Sequence, residues 1–221
     1  MKFTDDMSCI DKNLVDRGLA MAVPYSIRFD RYFSDEQMAE NAIFYAEHTE
    51  AEWNASCEET RKRIAESNIA IMGRIKERIK IGQYEKDYPE DYVLWFWCDC
   101  FDREGDSVCD YSHITLTFRN RSDYKENEKV CGIVKEILND CQVDNVQAIF
   151  QYGNIYIDEK IEEEAERFFK GNEGKFVLYK GYVIGKIFKN DNGYYFRKKN
   201  AKKYAYKFSP LDICRCSAIK K

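Results

Sequence analysis

The sequence predicts an α+β chain with an N-terminal helical region, a mixed or antiparallel sheet with packed helices, and a C-terminal antiparallel four-strand meander. Three observations carry this. An apolar stripe of helical period runs through residues 34–82. From 91 to 169 the pattern reads strand, strand, helix, strand, strand, helix (ββαββα), which indicates segregated layers, not a doubly wound parallel sheet. Finally, residues 170–221 reverse the charge of everything before them. They hold 14 Lys/Arg against three acids (Glu173, Asp191, Asp212), leaving 21 basic and 36 acidic residues in 1–169. Such a split suggests a polyanion-binding module, or two parts that attract each other.

Taken in order, residues 22–33 are extended, with Pro24 starting a segment in which Tyr25, Ile27, Phe29 and Tyr32 lie close to a two-residue repeat. Ser34 and Gln37 form a capping box that opens a helix carrying Met38, Ala42, Tyr45 and Ala46 on one side. The stripe thins between 47 and 63, then resumes with Ile64, Ile71, Met72, Ile75 and Ile79, and Gly82 is a natural stop. This reads as two helices, or as one with a solvated middle. Residues 91–102 are apolar on both faces, which fits a central strand covered on both sides, with Trp97 inside. Residues 112–120 alternate, with Ile114, Leu116 and Phe118 inward and His113 exposed.

Val130, Val134, Ile137 and Leu138 mark an amphipathic helix. A hairpin follows, 146–150 and 155–157, turning near Gly153-Asn154, and Asp158 caps a helix with Ile161, Ala165 and Phe169 inward. The first domain is therefore expected over 1–169. Residues 170–174 serve as the linker, and a basic, aromatic-rich β module spans 175–216. Its four strands are 176–179, 182–188, 194–198 and 204–208, with a turn at Asn190-Asp191-Asn192-Gly193.

Composition excludes several classes. With 44% hydrophobic residues in 221, a core can be buried. No run of 18 apolar residues exists, so no membrane partner is expected. The opening MKFTDDMSCIDKNLVDRG carries acids and no apolar stretch, and so does not read as a secretory signal. Nine cysteines then read as reduced thiols of a cytoplasmic protein. There is no phosphate-binding glycine loop and no nucleophile elbow, and no cofactor is expected.

Four constellations remain. Residues 175–207 interleave ten Lys/Arg with nine aromatics against one acid, the composition used to stack bases and neutralise phosphates. Alternation nominates Tyr195, Arg197 and Lys207, and the joining loop adds Lys198, Lys199, Lys202 and Lys203; Phe176, Phe196 and Phe208 are assigned to the core. Second, Cys98, Cys100, Cys109, Cys214 and Cys216 offer thiolates for zinc. However, i and i+2 in a strand lie about 6.7 Å apart, against about 3.8 Å between thiolates on zinc. Third, Asp99, Asp102, Glu104, Asp106 and Asp110 form an acidic loop without the spacing of a calcium-binding hand. Fourth, Asp144, Asp158 and Lys160 loosely follow the spacing of a metal-dependent nuclease core, although Lys160 can also pair with Glu164.

The function expected is therefore non-catalytic binding, with the basic module contacting nucleic acid or a nucleoprotein complex. The alternatives are an inhibitor of a nucleic-acid-handling protein, using the acidic surface of residues 30–60, and a metal-dependent nuclease. That surface holds nine acids against the single basic Arg31.

Overall fold

A computed structural model describes residues 1–84, 86, 87, 89–98, 111–141, 143–203 and 206–219. The acidic loop, with Cys100 and Cys109, lies outside the described residues. The chain divides into two compact units, Met1–Ile10 with Ala22–Gly153, and Asp11–Met21 with Asn154–Lys221.

The first unit is built on a mixed six-stranded sheet with helices packed on it. In chain order its elements are β1 (Lys2–Cys9), β2 (Ala20–Arg31), α2 (Asp35–Glu47), α3 (Glu50–Arg78), β3 (Ile81–Gln83), β4 (Leu94–Cys98), β5 (Ile114–Phe118), α4 (Tyr124–Asp140) and β6 (Val146–Tyr156). Helix α1 (Lys12–Asp16) belongs to the second unit, and β2 and β6 run on into it. The strand order is β1-β6-β2-β5-β4-β3. Strand β5 runs antiparallel to both β2 and β4, while β1 is parallel to β6 and β3 to β4. The ladder between β2 and β5 begins at Ser26, so Pro24, which has no N–H to give, falls outside it.

One face of this sheet carries the core. Ile27 and Phe29, Leu94 and Phe96, Ile114 and Leu116, and Ala148 and Phe150 meet Ile64, Ile71 and Ile75 of α3 and Val130, Val134 and Ile137 of α4. The α3 residues recur at helical spacing only from Ile64 onward, so the first half of that helix buries none of its side chains. Asn68 is buried on the same stripe and donates from Nδ2 to the Tyr111 carbonyl at 2.7 Å. That carbonyl follows a backbone at φ 58°, a conformation the side-chain bond helps to hold.

The other face of the sheet is polar: Ser26, Arg28 and Asp30 on β2 stand beside Thr117, Thr115 and His113. This corrects two expectations. Trp97 projects on that polar side, opposite Thr115, and is 48% exposed, whereas Trp95 on the same side is buried, so among the described residues β4 is covered on that side only in part. His113 is not simply exposed, since its Nδ1 lies 3.0 Å from Asp30 Oδ1.

The expected hairpin at Gly153-Asn154 is also absent. Residues 146–156 form one continuous strand, and Gly153 serves for close approach instead: a Cβ there would stand 3.2 Å from the Tyr25 ring.

The second unit contains α1, α5 (Asp158–Gly171), β7 (Phe176–Tyr179), β8 (Val183–Asn190), β9 (Gly193–Lys198), β10 (Tyr206–Lys207), a 3-10 helix (Pro210–Arg215) and β11 (Cys216–Ala218). Its sheet is antiparallel, in the order β10-β9-β8-β7-β11, a meander extended by one strand beyond the four expected. Asn190 pairs with Gly193, whose φ is 118°, closing a two-residue turn as the Asn-Asp-Asn-Gly sequence requires. Phe169 of α5 stacks on Phe208 with ring centroids 4.9 Å apart, and Leu14, Leu19, Ile161, Ala165 and Ile213 complete the core. Helix α5 thus packs with the β module, and residues 170–174 lie inside this unit. Asp158 is the first residue of α5 and not its cap. Ile157 holds the cap position without a side-chain bond, and Asp158 contributes through the favourable end of the helix dipole.

Candidate nucleic-acid interface

Register decides which side chains share each face of the second sheet. Val177, Tyr179, Ile187, Tyr194 and Phe196 point inward against α5, the 3-10 helix and α1. Their alternates form the outward face. Phe176 pairs with Lys186, and Lys186 with Arg197; in the next row Phe188 pairs with Tyr195, and Tyr195 with Lys207. Leu178 and Ile184 make a third, apolar row. No acid stands among these outward positions.

Aromatic and cationic groups are interleaved at contact distance on this face. The Arg197 guanidinium lies 4.2 Å from the Phe188 ring centroid, and Lys186 Nζ lies 4.7 Å from that of Phe176. Each pair keeps a positive charge over a flat ring, so the face presents both phosphate-neutralising and base-stacking groups. Arg197, Lys186, Phe188 and Tyr195 are half-buried, while Phe176 is 41% exposed and Lys207 is exposed.

Of the residues nominated from sequence, Tyr195, Arg197 and Lys207 therefore stand together on one face. Lys199, Lys202 and Lys203 are exposed in the turn after β9, where the Lys199 N–H donates to the Ile184 carbonyl. Lys198 pairs with Gly185 and so shares the strand parity of the inward residues, at the open end of the sheet. Phe196 and Phe208 are core as expected. Phe176 is not, because β7 begins there with the outward parity of Leu178. Sequence reasoning also missed Lys186 and Phe188, although their alternation with buried Ile187 was there to be used.

The inward side is closed by one buried carboxylate. Asp212, 7% exposed, accepts from the Tyr179 and Tyr206 hydroxyls on Oδ1 and from the Ser209 N–H and hydroxyl on Oδ2. One of the unit's few acids after Glu173 is thereby spent inside. Burial, and then the hydrogen bond with Tyr179 and the Asp212 charge, push the Tyr206 phenol well above its usual range. Burial and the neighbouring Glu166 carboxylate push Tyr194 up as well.

Of the nuclease pattern, Asp144 precedes β6 in the first unit, while Asp158 and Lys160 stand in the first turn of α5 in the second. Glu164 pairs with Arg17, not with Lys160, whose Nζ reaches over Gly18. Cys98 is buried and its Sγ accepts from the Tyr111 N–H at 3.2 Å, while Cys214 and Cys216 sit in the other unit. Among the described residues no three His, Cys, Asp or Glu side chains are grouped to hold a metal, and no helix is long and apolar enough to cross a membrane.

Comparison with protein-family models, curated proteins and solved structures returned no match.

Proposed function

We propose that the second unit binds single-stranded nucleic acid on the outward face of its five-stranded sheet, without catalysing a reaction. The observation that carries this reading is the cross-strand pattern Phe176–Lys186–Arg197 beside Phe188–Tyr195–Lys207. Single strands expose unpaired bases to rings and guanidinium planes, whereas a duplex hides its π-faces in the stack. The turn lysines extend the positive surface at one end of the sheet, and counterion release from phosphates supplies affinity without base preference. The seven cysteines among the described residues are free thiols, which suits a reducing, cytoplasmic setting.

The test is fluorescence anisotropy of a short labelled single strand titrated with the full-length protein at several salt concentrations. Affinity is expected to fall linearly on logarithmic axes, by about tenfold or more between roughly 50 and 200 mM salt. Lys202→Glu combined with Lys203→Glu should weaken all sequences alike. Affinity that ignores both salt and these reversals contradicts the proposal.

A further inference from the structure

Helix α2 buries none of its thirteen residues. At 100° per residue, Tyr45, Met38, Ala42, Ala46, Ala39 and Ile43 lie around an arc of about 160°, interrupted only by Asp35 in the first turn. Met38, Ile43 and Tyr45 are 53%, 58% and 60% exposed. The opposite side, with Gln37, Asn41 and Phe44, is half-buried towards α3. Glu36, Glu40 and Glu47 border the apolar arc beyond Ile43. The helix is nonetheless held in place. Capping boxes at Ser34/Gln37 and Thr49/Glu52 close both helix starts, and Trp53 lies 5.3 Å from Tyr45 and 6.3 Å from Phe44.

We propose that α2 is a docking face for a basic amphipathic helix of a partner protein. Charge selects this occupant. With Asp35, Glu36, Glu40 and Glu47 as its only charged residues, the helix repels an anionic membrane, a nucleic acid and the same arm of a second copy. A partner helix with apolar residues at i, i+3, i+4 and i+7 and Lys/Arg along the margin meets both the stripe and its glutamates. The preformed hairpin spares the complex much of the ordering cost of binding. This surface lies in the first unit and does not depend on the nucleic-acid reading.

The probe is a labelled synthetic Leu/Lys peptide with its leucines on one helical face, compared with a scrambled peptide of the same composition. Binding to the full-length protein is read by anisotropy. The striped peptide should bind at least about tenfold more tightly than the scrambled one. Met38→Ser with Ile43→Ser should remove that preference while leaving circular dichroism and oligonucleotide affinity unchanged. Glu40→Lys with Glu47→Lys should weaken both peptides. Equal binding of the two peptides, or an unaffected Met38→Ser/Ile43→Ser protein, overturns the proposal. So does concentration-dependent self-association in sedimentation that these substitutions abolish, because the occupant would then be a second copy.

Discussion

The Tyr179 hydroxyl donates to the Asp212 carboxylate at 3.0 Å, joining β7 to the 3-10 helix across 33 residues of chain. With Tyr206 and Ser209 completing its shell, this carboxylate fixes the inward side of the sheet whose outward side is the candidate interface.

Asp212→Asn should therefore destabilise the second unit. The amide turns one acceptor into a donor facing the Ser209 donors or the two phenols, leaving buried groups unpaired at a cost of about 1–3 kcal/mol. Urea unfolding followed by circular dichroism measures the shift, and an unchanged midpoint would show that the carboxylate holds nothing.

Stability should also fall at alkaline pH. Burial raises Tyr206 above the ordinary 10.0 of a phenol, and raises Cys131 and Cys216 from 9.0 to about 12. A raised folded-state pKa means the folded protein holds the proton more tightly. Its contribution is complete below the unfolded value, and is lost as pH rises through the folded one. Melting temperature should hold to about pH 8.5 and decline from about 9 to 12. Tyrosinate absorbance should show a late fraction that appears only as the fold is lost. Complete tyrosine ionisation in the folded protein near pH 10 would contradict this.

Gly185→Ala tests the packing of the same sheet. A Cβ there would stand 2.4 Å from the Phe196 ring and 2.5 Å from the Arg197 carbonyl oxygen. Phe196 is fully buried and the carbonyl is backbone, so neither can yield without moving β9. A loss of about 1–3 kcal/mol is expected on thermal unfolding.

Elements with clean burial periods were legible in the sequence. Strand β5 alternates residue by residue, α4 presents one stripe, and the turn at Asn190 to Gly193 announces itself through its φ requirements. Strand β1 was not legible, because an edge strand with six of its eight residues exposed has no alternation to read. The β6 hairpin was inferred from turn chemistry that the fold uses differently, with Gly153 letting the Tyr25 ring approach. Residues 11–21 join the C-terminal unit through Leu14 and Leu19, a long-range pairing that no local pattern encodes. The interface was half legible. The β9 residues came from alternation, whereas Phe176 was assigned inward because a small module needs large side chains in its core.

The most direct test of the stacking face compares a single-stranded oligonucleotide with an abasic strand of equal length, against the wild-type protein and Phe176→Ala/Tyr195→Ala. The abasic strand keeps the phosphates and removes what would stack. Wild type should prefer the base-bearing strand by about 1–3 kcal/mol per stacked base. The double variant, with its circular dichroism unchanged, should lose most of that preference, Phe188 being the one outward ring of the pattern left in place. Equal wild-type affinity for the two strands, or a preference undiminished by the loss of both rings, would contradict the assignment of this face to nucleic-acid bases.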